Sequence, residues 1–316
     1  MTNDTKHDII FPLLTNGFDF IYHSLEILVE KDNENNPRAI KYALLALSAG
    51  VELILKEPLR RKDWKLVFED ITEADEEDYK QGNFYSIKFK TCIKRLRDEC
   101  GIKLTKRHKH RFQVLRTKRN QLEHFGFSDT MQSMRAAAAS ALNSLIDYIS
   151  LNLMPLDPVD ESLLALIREK LGLFVGFVDH RWDEIRETVD SVDTTVVDCP
   201  HCSQEAVVTG NGADCAFCGY KEYDSSEAAD TYITSVLGLN HYETVKDGGE
   251  WPHYDCPSCD ANALVDTEEG FFCFGCGEKF DVGEIRNCDT CCEPYFPGSY
   301  EDFKLMCNNC LLNYSK

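Results

Sequence analysis

Twelve of the fifteen cysteines in this 316-residue chain form six Cys-x-x-Cys pairs, and all six pairs lie after residue 198. Two cysteines separated by two residues can place both sulfurs on one metal ion, and a second such pair completes a tetrahedron. In chain order the pairs make three units, with 12, 13 and 15 residues between their halves. The units are Cys199/Cys202 with Cys215/Cys218, Cys256/Cys259 with Cys273/Cys276, and Cys288/Cys291 with Cys307/Cys310.

Each unit resembles a zinc ribbon, and the resemblance covers most of residues 199–310. It implies three structural zinc ions, each surrounded by short β-hairpins. Pro200 and Pro257 suit the entry of the Cys-x-x-Cys turn, while Gly219 and Gly277 permit a positive φ angle after its second ligand. Four thiolates leave no open position on the metal for water, so we expect no catalytic metal. Modules this small and acidic need the metal in order to fold.

Other uses of these cysteines remain alternatives: disulfides, an iron–sulfur cluster, or iron in place of zinc. Since the N-terminal sequence lacks the basic and apolar segments of an export signal, we expect a cytoplasmic protein with reduced thiols. We also expect no membrane span, because no apolar run approaches about 20 residues.

The choice of ligands has alternatives of its own. Only 11 residues separate the second unit from the third, so their pairs can also interleave. Cys292 is an alternative to Cys291. Cys92 and Cys100 lie in a predicted helix and are expected to be buried as small apolar side chains. Three histidines remain unassigned because twelve cysteines suffice for three sites: His201, His241 and His253.

Residues 1–154 are predicted to form a bundle of about five α-helices, because apolar residues recur every three or four positions. Pro37 suits the first turn of the second helix, and Pro58 suits its end. The acidic stretch 70–82 is predicted to be a loop. Further helices are predicted over Ser86 to Cys100 with Gly101 as its cap, over Thr105 to Phe125, and from a cap at Ser128 or Asp129 to Leu153.

Pro155 and Pro158 mark the end of this helical domain. A helical spacer over 155–198 follows, with one or two helices between Glu161 and Val189. The predicted modules after it are ribbons at 199–222, 253–282 and 283–316, with a connector at 223–252.

Charge is distributed unevenly along the chain. Residues 1–198 contain 28 Lys+Arg and 33 Asp+Glu, whereas residues 199–316 contain 6 and 21. Because nucleic-acid affinity comes mainly from Lys and Arg that displace counterions from phosphates, the acidic ribbons are poorly suited to bind it. We expect them to contact a protein partner or the chain's own basic helices, and the second contact would restrain the helical domain.

The basic helices contain one further motif. The segment from Lys88 to Arg119 holds 13 Lys and Arg against Asp98 and Glu99. It ends in Arg119-Asn120-Gln121-Leu122-Glu123-His124. This motif, in an all-helical domain, resembles the HEPN family, whose members are frequently metal-independent RNases. The segment from Ala43 to Lys56 also resembles the family's second helix, and the match covers roughly residues 8–150.

The residue types in this motif suit RNA cleavage, because the 2′-hydroxyl of RNA is itself the nucleophile. His124 can move the proton near neutral pH, and Arg119 can stabilise charge on the phosphorane. The resemblance implies that Asn120 supports the site. The products would be a 2′,3′-cyclic phosphate and a 5′-hydroxyl, and DNA would survive. Flanking basic residues would hold the RNA backbone: Lys103, Lys106, Arg107, Lys109, Arg111, Arg116 and Lys118.

A spacing of five residues places Arg119 and His124 about 140° apart on a regular helix, so one copy of the motif should not converge. The resemblance implies that two copies meet across a dimer, and we therefore expect a homodimer formed by the helical domain. In a non-catalytic alternative, Arg119 pairs with Glu123 one helical turn away.

The first hypothesis for function is therefore an RNA endonuclease with a defence or toxin-like role, in which the ribbons serve as sensor, scaffold or restraint. The alternatives are a non-enzymatic zinc-binding adaptor, and a nucleic-acid-binding regulator that uses only the basic helices.

Overall fold

The computed structural model describes residues 11–124, 128–246, 248–297, 306, 307 and 310, and the chain divides into two compact units. Unit 1 comprises residues 1–108 and 115–178, and unit 2 comprises residues 109–114 and 179–316. Across the described ranges, no helix has the length and apolarity needed to cross a membrane.

Unit 1 is helical, as predicted. Short 3₁₀ turns at Lys31–Asn33, Trp64–Val67 and Ile71–Glu73 connect some of its helices. The helices are α1 (Leu13–Val29), α2 (Pro37–Lys62), α3 (Glu76–Gln81), α4 (Phe89–Cys100), α5 (Lys106–His124), α6 (Met131–Asn152) and α7 (Pro158–Asp190). Helices α5 and α7 each continue into unit 2.

The core of unit 1 begins where α1 crosses α2 at two glycines. A Cβ on Gly50 would lie 2.7 Å from the carbonyl oxygen of Gly17, and one on Gly17 would lie 2.8 Å from the side chain of Ile54. The backbones therefore approach closely, and the buried side chains of Phe18 and Leu47 pack beside this crossing. The alanine-rich face of α6 also packs on α2, where small residues allow a close approach.

Helix α2 confirms one predicted boundary and corrects the other. Asn36 caps it by accepting a hydrogen bond from Ala39 N at 3.2 Å, with Pro37 in the first turn. Pro58 was predicted to end the helix, but it lies inside α2, which continues to Lys62. Pro58 is buried, and the helix is held beyond it by Glu57, which pairs with Arg60 and Arg61 at 2.7 and 2.9 Å. Tertiary packing here outweighs the lost backbone hydrogen bond.

Other helix ends follow capping rules. Gly101 ends α4 with a φ of 70°, as predicted. The cap of α6 is Thr130, whose side chain accepts from Ser133 N, and neither Ser128 nor Asp129 takes this role. The predicted loop at 70–82 contains α3, because Asp75 accepts from two backbone N–H groups and nucleates it. The predicted spacer contains the single long helix α7.

Unit 2 contains two antiparallel four-stranded sheets of the same design, each in the order of the sequence. The first has β1 (Val196–Asp198), β2 (Glu205–Thr209), β3 (Ala213–Cys215) and β4 (Lys221–Glu222). The second has β5 (His253–Asp255), β6 (Asn262–Thr267), β7 (Gly270–Cys273) and β8 (Lys279–Phe280). A two-stranded ladder follows, formed by β9 (Arg286–Asn287) and β10 (Pro294–Tyr295), so the predicted helical domain with small ribbon modules is confirmed.

Backbone hydrogen bonds join the first two sheets. The turn between β2 and β3 donates from Gly210 N and Gly212 N to Phe274 O, at 3.1 and 2.9 Å. Asn211 N donates to Gly275 O at 2.9 Å, and Thr195 N to Gly277 O at 2.8 Å.

The connector adds helix α8 (Ser225–Ser235), capped by Asp224, and the short helix α9 (His241–Lys246). Tyr232 of α8 packs on Phe272 and Phe274, with ring centres 5.1 and 5.7 Å apart. The first two ribbons therefore fold as one body.

Candidate metal sites and the helix α5 motif

Twelve cysteine sulfurs gather into three groups of four, paired in sequence order without interleaving. Within each group all sulfurs lie within 4.8 Å of one another. Cross-pair distances are 3.8 Å for Cys199 to Cys218, for Cys256 to Cys276 and for Cys291 to Cys307. A metal–sulfur bond of about 2.3 Å gives a tetrahedron with edges of about 3.8 Å, whereas a disulfide needs about 2.05 Å. Each group can therefore hold one tetrahedral metal ion.

Every described Cys-x-x-Cys turn, here called a knuckle, closes by the same backbone hydrogen bond. The residue after the second cysteine has a positive φ and donates its N–H to the carbonyl of the first cysteine at 2.8–3.0 Å. Gly219 and Gly277 do this with φ of 77° and 81°, as predicted. In the leading knuckles the same position is held by Ser203, Asp260 and Cys292, each with φ of 60°. Of these positions, the sequence analysis predicts only the two glycines.

This geometry resolves the ambiguity at Cys292. Cys291 belongs to the third sulfur group, while Cys292 is the residue that closes the knuckle. The unassigned histidines also lie outside the groups of sulfurs. His201 stacks on Tyr220 at 4.2 Å, His241 packs edge-on against Trp251 at 5.0 Å, and His253 pairs with Asp230 at 2.9 Å.

Burial differs among the three groups. All four cysteines of the first group are buried, whereas Cys259 of the second and Cys291 of the third are exposed. Burial raises the pKa of the Cys199 and Cys202 thiols well above the usual range, while hydrogen bonds from neighbouring thiols lower the pKa of Cys215 and Cys218. Four buried thiolates thus require a cation to coexist, and metal binding at the first site releases protons.

The nuclease motif lies at the C-terminal end of α5. Arg119 Nε is 3.1 Å from Glu123 Oε2, and His124 Nε2 is 3.8 Å from the same oxygen. Arg119 also donates from Nη1 to Asn120 Oδ1 at 3.0 Å. The guanidinium of Arg119 and the imidazole of His124 in one chain therefore both lie within 4 Å of one carboxylate oxygen, that of Glu123.

The pair between Arg119 and Glu123 is the one that the non-catalytic alternative predicts, whereas the approach of His124 to the same carboxylate was not predicted. The sequence signal for the pair was present in its spacing, because residues four apart face each other on a helix. The side chains of Arg119 and Glu123 are 33% and 36% exposed, and that of His124 is 62% exposed. The cluster is therefore accessible from solvent.

The predicted RNA-binding side chains differ in their exposure and do not all belong to the same unit. Lys103, Lys106, Arg107 and Lys109 are exposed, and Arg111 and Arg116 are half-buried. Arg116 stacks over the ring of Phe89 at 5.6 Å. Lys118 is buried, paired with Asp129 and 2.9 Å from Ser133 Oγ, so it anchors α5. Lys109 and Arg111 belong to unit 2, the others to unit 1.

The two remaining cysteines lie in α4, as predicted. Cys92 is buried with 3% exposure, and Cys100 is half-buried. Burial raises the pKa of the Cys92 thiol to about 12. Cys92 therefore behaves as a small apolar core residue.

Comparison with protein-family models, with curated proteins and with solved structures found no match.

Proposed function

We propose that this protein is a metal-independent endoribonuclease of the HEPN type that acts as a dimer and carries three structural zinc ions. The 2′-hydroxyl of RNA attacks the adjacent phosphate, and the products are a 2′,3′-cyclic phosphate and a 5′-hydroxyl. Arg119, Asn120 and His124 form the active site, and the basic residues of α5 and its preceding loop bind the RNA backbone.

The observation that supports this proposal is the shared carboxylate of Glu123. An arginine and a histidine that approach one carboxylate oxygen at 3.1 and 3.8 Å can approach one phosphate oxygen in the same place. In the active enzyme the scissile phosphate takes the place of the Glu123 carboxylate as the group that Arg119 and His124 contact. Arg119 then stabilises the charge on the phosphorane, and His124 transfers the proton.

Neighbouring groups support these roles. The contact with Asn120 Oδ1 orients the guanidinium of Arg119. The exposed Lys103, Lys106 and Lys109 supply affinity for phosphates. We leave Lys118 out of the RNA-binding set because its ammonium is buried and neutralised by Asp129.

The dimer rests on the family resemblance, since the two side chains meet at Glu123 within one chain. The zinc identity rests on the donor set, because four thiolates in a tetrahedron suit zinc in a reducing compartment. With 6 Lys+Arg against 21 Asp+Glu in residues 199–316, the ribbons repel RNA. They serve as sensor, scaffold or restraint by contacting a basic protein surface.

The test is cleavage of single-stranded RNA by the full-length zinc-loaded protein in buffer free of magnesium and chelator. We expect wild type to cut RNA, but not DNA or 2′-O-methyl RNA, and to leave 5′-hydroxyl ends. His124→Ala should lose cleavage, whereas His23→Ala should retain it. His23 is the matched control, because its side chain is also 62% exposed and also lies near a glutamate.

Equal cleavage by His124→Ala would refute the assignment of the active site. Inactivity of a folded wild type against varied RNAs would favour the second candidate, a non-enzymatic zinc-binding adaptor. One observation supports that candidate: Arg119 already has Glu123 and Asn120 as partners, as an ordinary helix-surface ion pair would.

A further inference from the structure

Helix α5 connects the first metal site to the proposed nuclease motif. The helix is continuous from Lys106 to His124, yet residues 109–114 belong to unit 2, whereas residues 106–108 and 115–124 belong to unit 1. Within the first of these segments, His110, Phe112 and Val114 are buried, with exposures of 4%, 1% and 5%. Short helical segments gain most of their stability from such packing.

The ring of His110 is held mainly by the first knuckle. Its Nε2 lies 3.3 Å from Ser203 Oγ and 3.4 Å from the carbonyl oxygen of Cys199. Its Nδ1 lies 2.7 Å from the carbonyl oxygen of Ser235, at the end of α8. Two of its three partners are therefore part of the turn that presents Cys199 and Cys202 to the metal.

The shape of that turn depends on the metal. Ser203 has a φ of 60° and donates its N–H to Cys199 O at 3.0 Å, directly after the ligand Cys202. Left-handed backbone in a serine costs energy, and metal coordination by the flanking cysteines is what offsets it. Loss of the metal would release both groups that contact Nε2 of His110.

The C-terminal half of α5 has separate support. Lys118 pairs with Asp129 and Ser133, and Leu115 is buried with 1% exposure. All of these residues lie in unit 1. Release of the first half should therefore leave Arg119 and His124 in place.

We propose that the metal ion of the first site orders the N-terminal half of α5 through His110, and thereby controls the affinity of this protein for RNA. The exposed Lys109 and the half-buried Arg111 flank His110 within residues 109–114, so they are ordered or released together with it. The part concerning RNA rests on the proposed function; the part concerning α5 does not.

The experiment compares two full-length variants that each lose one metal ligand. Cys202→Ser affects the first site, and Cys310→Ser affects the third. Hydrogen exchange measures residues 109–114 and 115–124 separately, and fluorescence anisotropy measures binding of a labelled single-stranded RNA in a His124→Ala background. Mass spectrometry counts the bound metal ions.

For Cys202→Ser we expect faster exchange at 109–114, unchanged exchange at 115–124, and RNA affinity reduced about tenfold, as for two lost phosphate contacts. Cys310→Ser should leave all three quantities unchanged. His110→Ala should reproduce the exchange and the affinity of Cys202→Ser while it keeps three metal ions. His110→Gln, whose amide can still donate to Ser235 O, should recover part of the protection.

Unchanged exchange at 109–114 in both Cys202→Ser and His110→Ala would overturn the inference, and so would equal effects of Cys202→Ser and Cys310→Ser. A third outcome separates the two proposals. If hydrogen exchange at 109–114 changes as expected but the protein binds no RNA, the link between the metal and α5 is supported and the proposed nuclease is refuted. Faster exchange at 109–114 with unchanged RNA affinity in Cys202→Ser would contradict the role assigned to the basic residues of this segment.

Discussion

Gly277 and Gly219 offer a matched test of how the first two ribbons are joined. Both close a knuckle with left-handed backbone, at φ of 81° and 77°. A Cβ added to Gly277 would lie 2.6 Å from Cβ and Cγ2 of Thr194, whereas one added to Gly219 would have no atom within 4 Å. Gly277→Ala therefore tests backbone strain plus steric overlap with Thr194, and Gly219→Ala tests backbone strain alone.

The expected magnitudes follow from these distances. Left-handed backbone in alanine costs about 1–2 kcal/mol, which applies to both variants. Overpacking against Thr194 adds about 1–3 kcal/mol for Gly277→Ala alone. Metal affinity is coupled to folding, and about 1.4 kcal/mol corresponds to a tenfold change in affinity. The loss of metal affinity at the second site in Gly277→Ala should therefore exceed the loss at the first site in Gly219→Ala by about 5- to 140-fold.

Competition with a chromophoric zinc chelator measures these affinities. Thr194→Gly combined with Gly277→Ala should recover the steric part, and the double-mutant cycle isolates that part from the flexibility that the new glycine adds. Equal losses of affinity in Gly219→Ala and Gly277→Ala, or a cycle with no coupling, would show that Thr194 does not press on this knuckle.

Two further predictions concern cysteines. Cys291→Ser should reduce the bound metal from three ions to two, whereas Cys292→Ser should keep three, as counted by native mass spectrometry; the opposite pattern would reassign the ligand. For Cys92, burial raises the pKa of the folded-state thiol to about 12, so the unfolded state ionises first as pH rises above the ordinary value of 9.0. Its stabilising effect is complete below that value and falls by up to about 1.4 kcal/mol per pH unit above it. Urea unfolding at about pH 8 and about pH 10 should therefore differ more in wild type than in Cys92→Val, and equal differences would place this thiol in contact with solvent.

The fold could be predicted from the sequence wherever one local signal dominated. The Cys-x-x-Cys spacing predicted the ribbons and the pairing of their cysteines in sequence order, and Gly101 predicted the end of α4. Pro58 misled the prediction, because its burial is tertiary and carries no local signal, although the spacing of Glu57 from Arg60 and Arg61 is a local signal that the helix continues. Asp75 shows the reverse failure: a capping residue was present in the sequence, but the acidic composition around it suggested a loop.

The metal ligands could be predicted from the sequence, but the contacts between the sites and distant parts of the chain could not. Aligning the three units would have revealed that Ser203, Asp260 and Cys292 share the position of the knuckle glycines. Nothing local could show that His110 contacts Cys199 and Ser203, because 89 and 93 residues separate it from them. The pair of Arg119 with Glu123 was predictable from its four-residue spacing, whereas the approach of His124 to the same oxygen depends on side-chain rotamers that no sequence pattern fixes.

The hydrogen bonds between the turn at Gly210–Gly212 and the backbone at Phe274–Gly275 affect how the protein can be divided. Although the two ribbons are separate sheets, a cut between residues 222 and 253 would leave four amide donors on one fragment, counting that of Thr195, and their acceptors on the other. Each stranded group costs about 1–3 kcal/mol if it remains buried. Fragments for biochemistry, and gene fusions in evolution, should therefore carry both ribbons or neither.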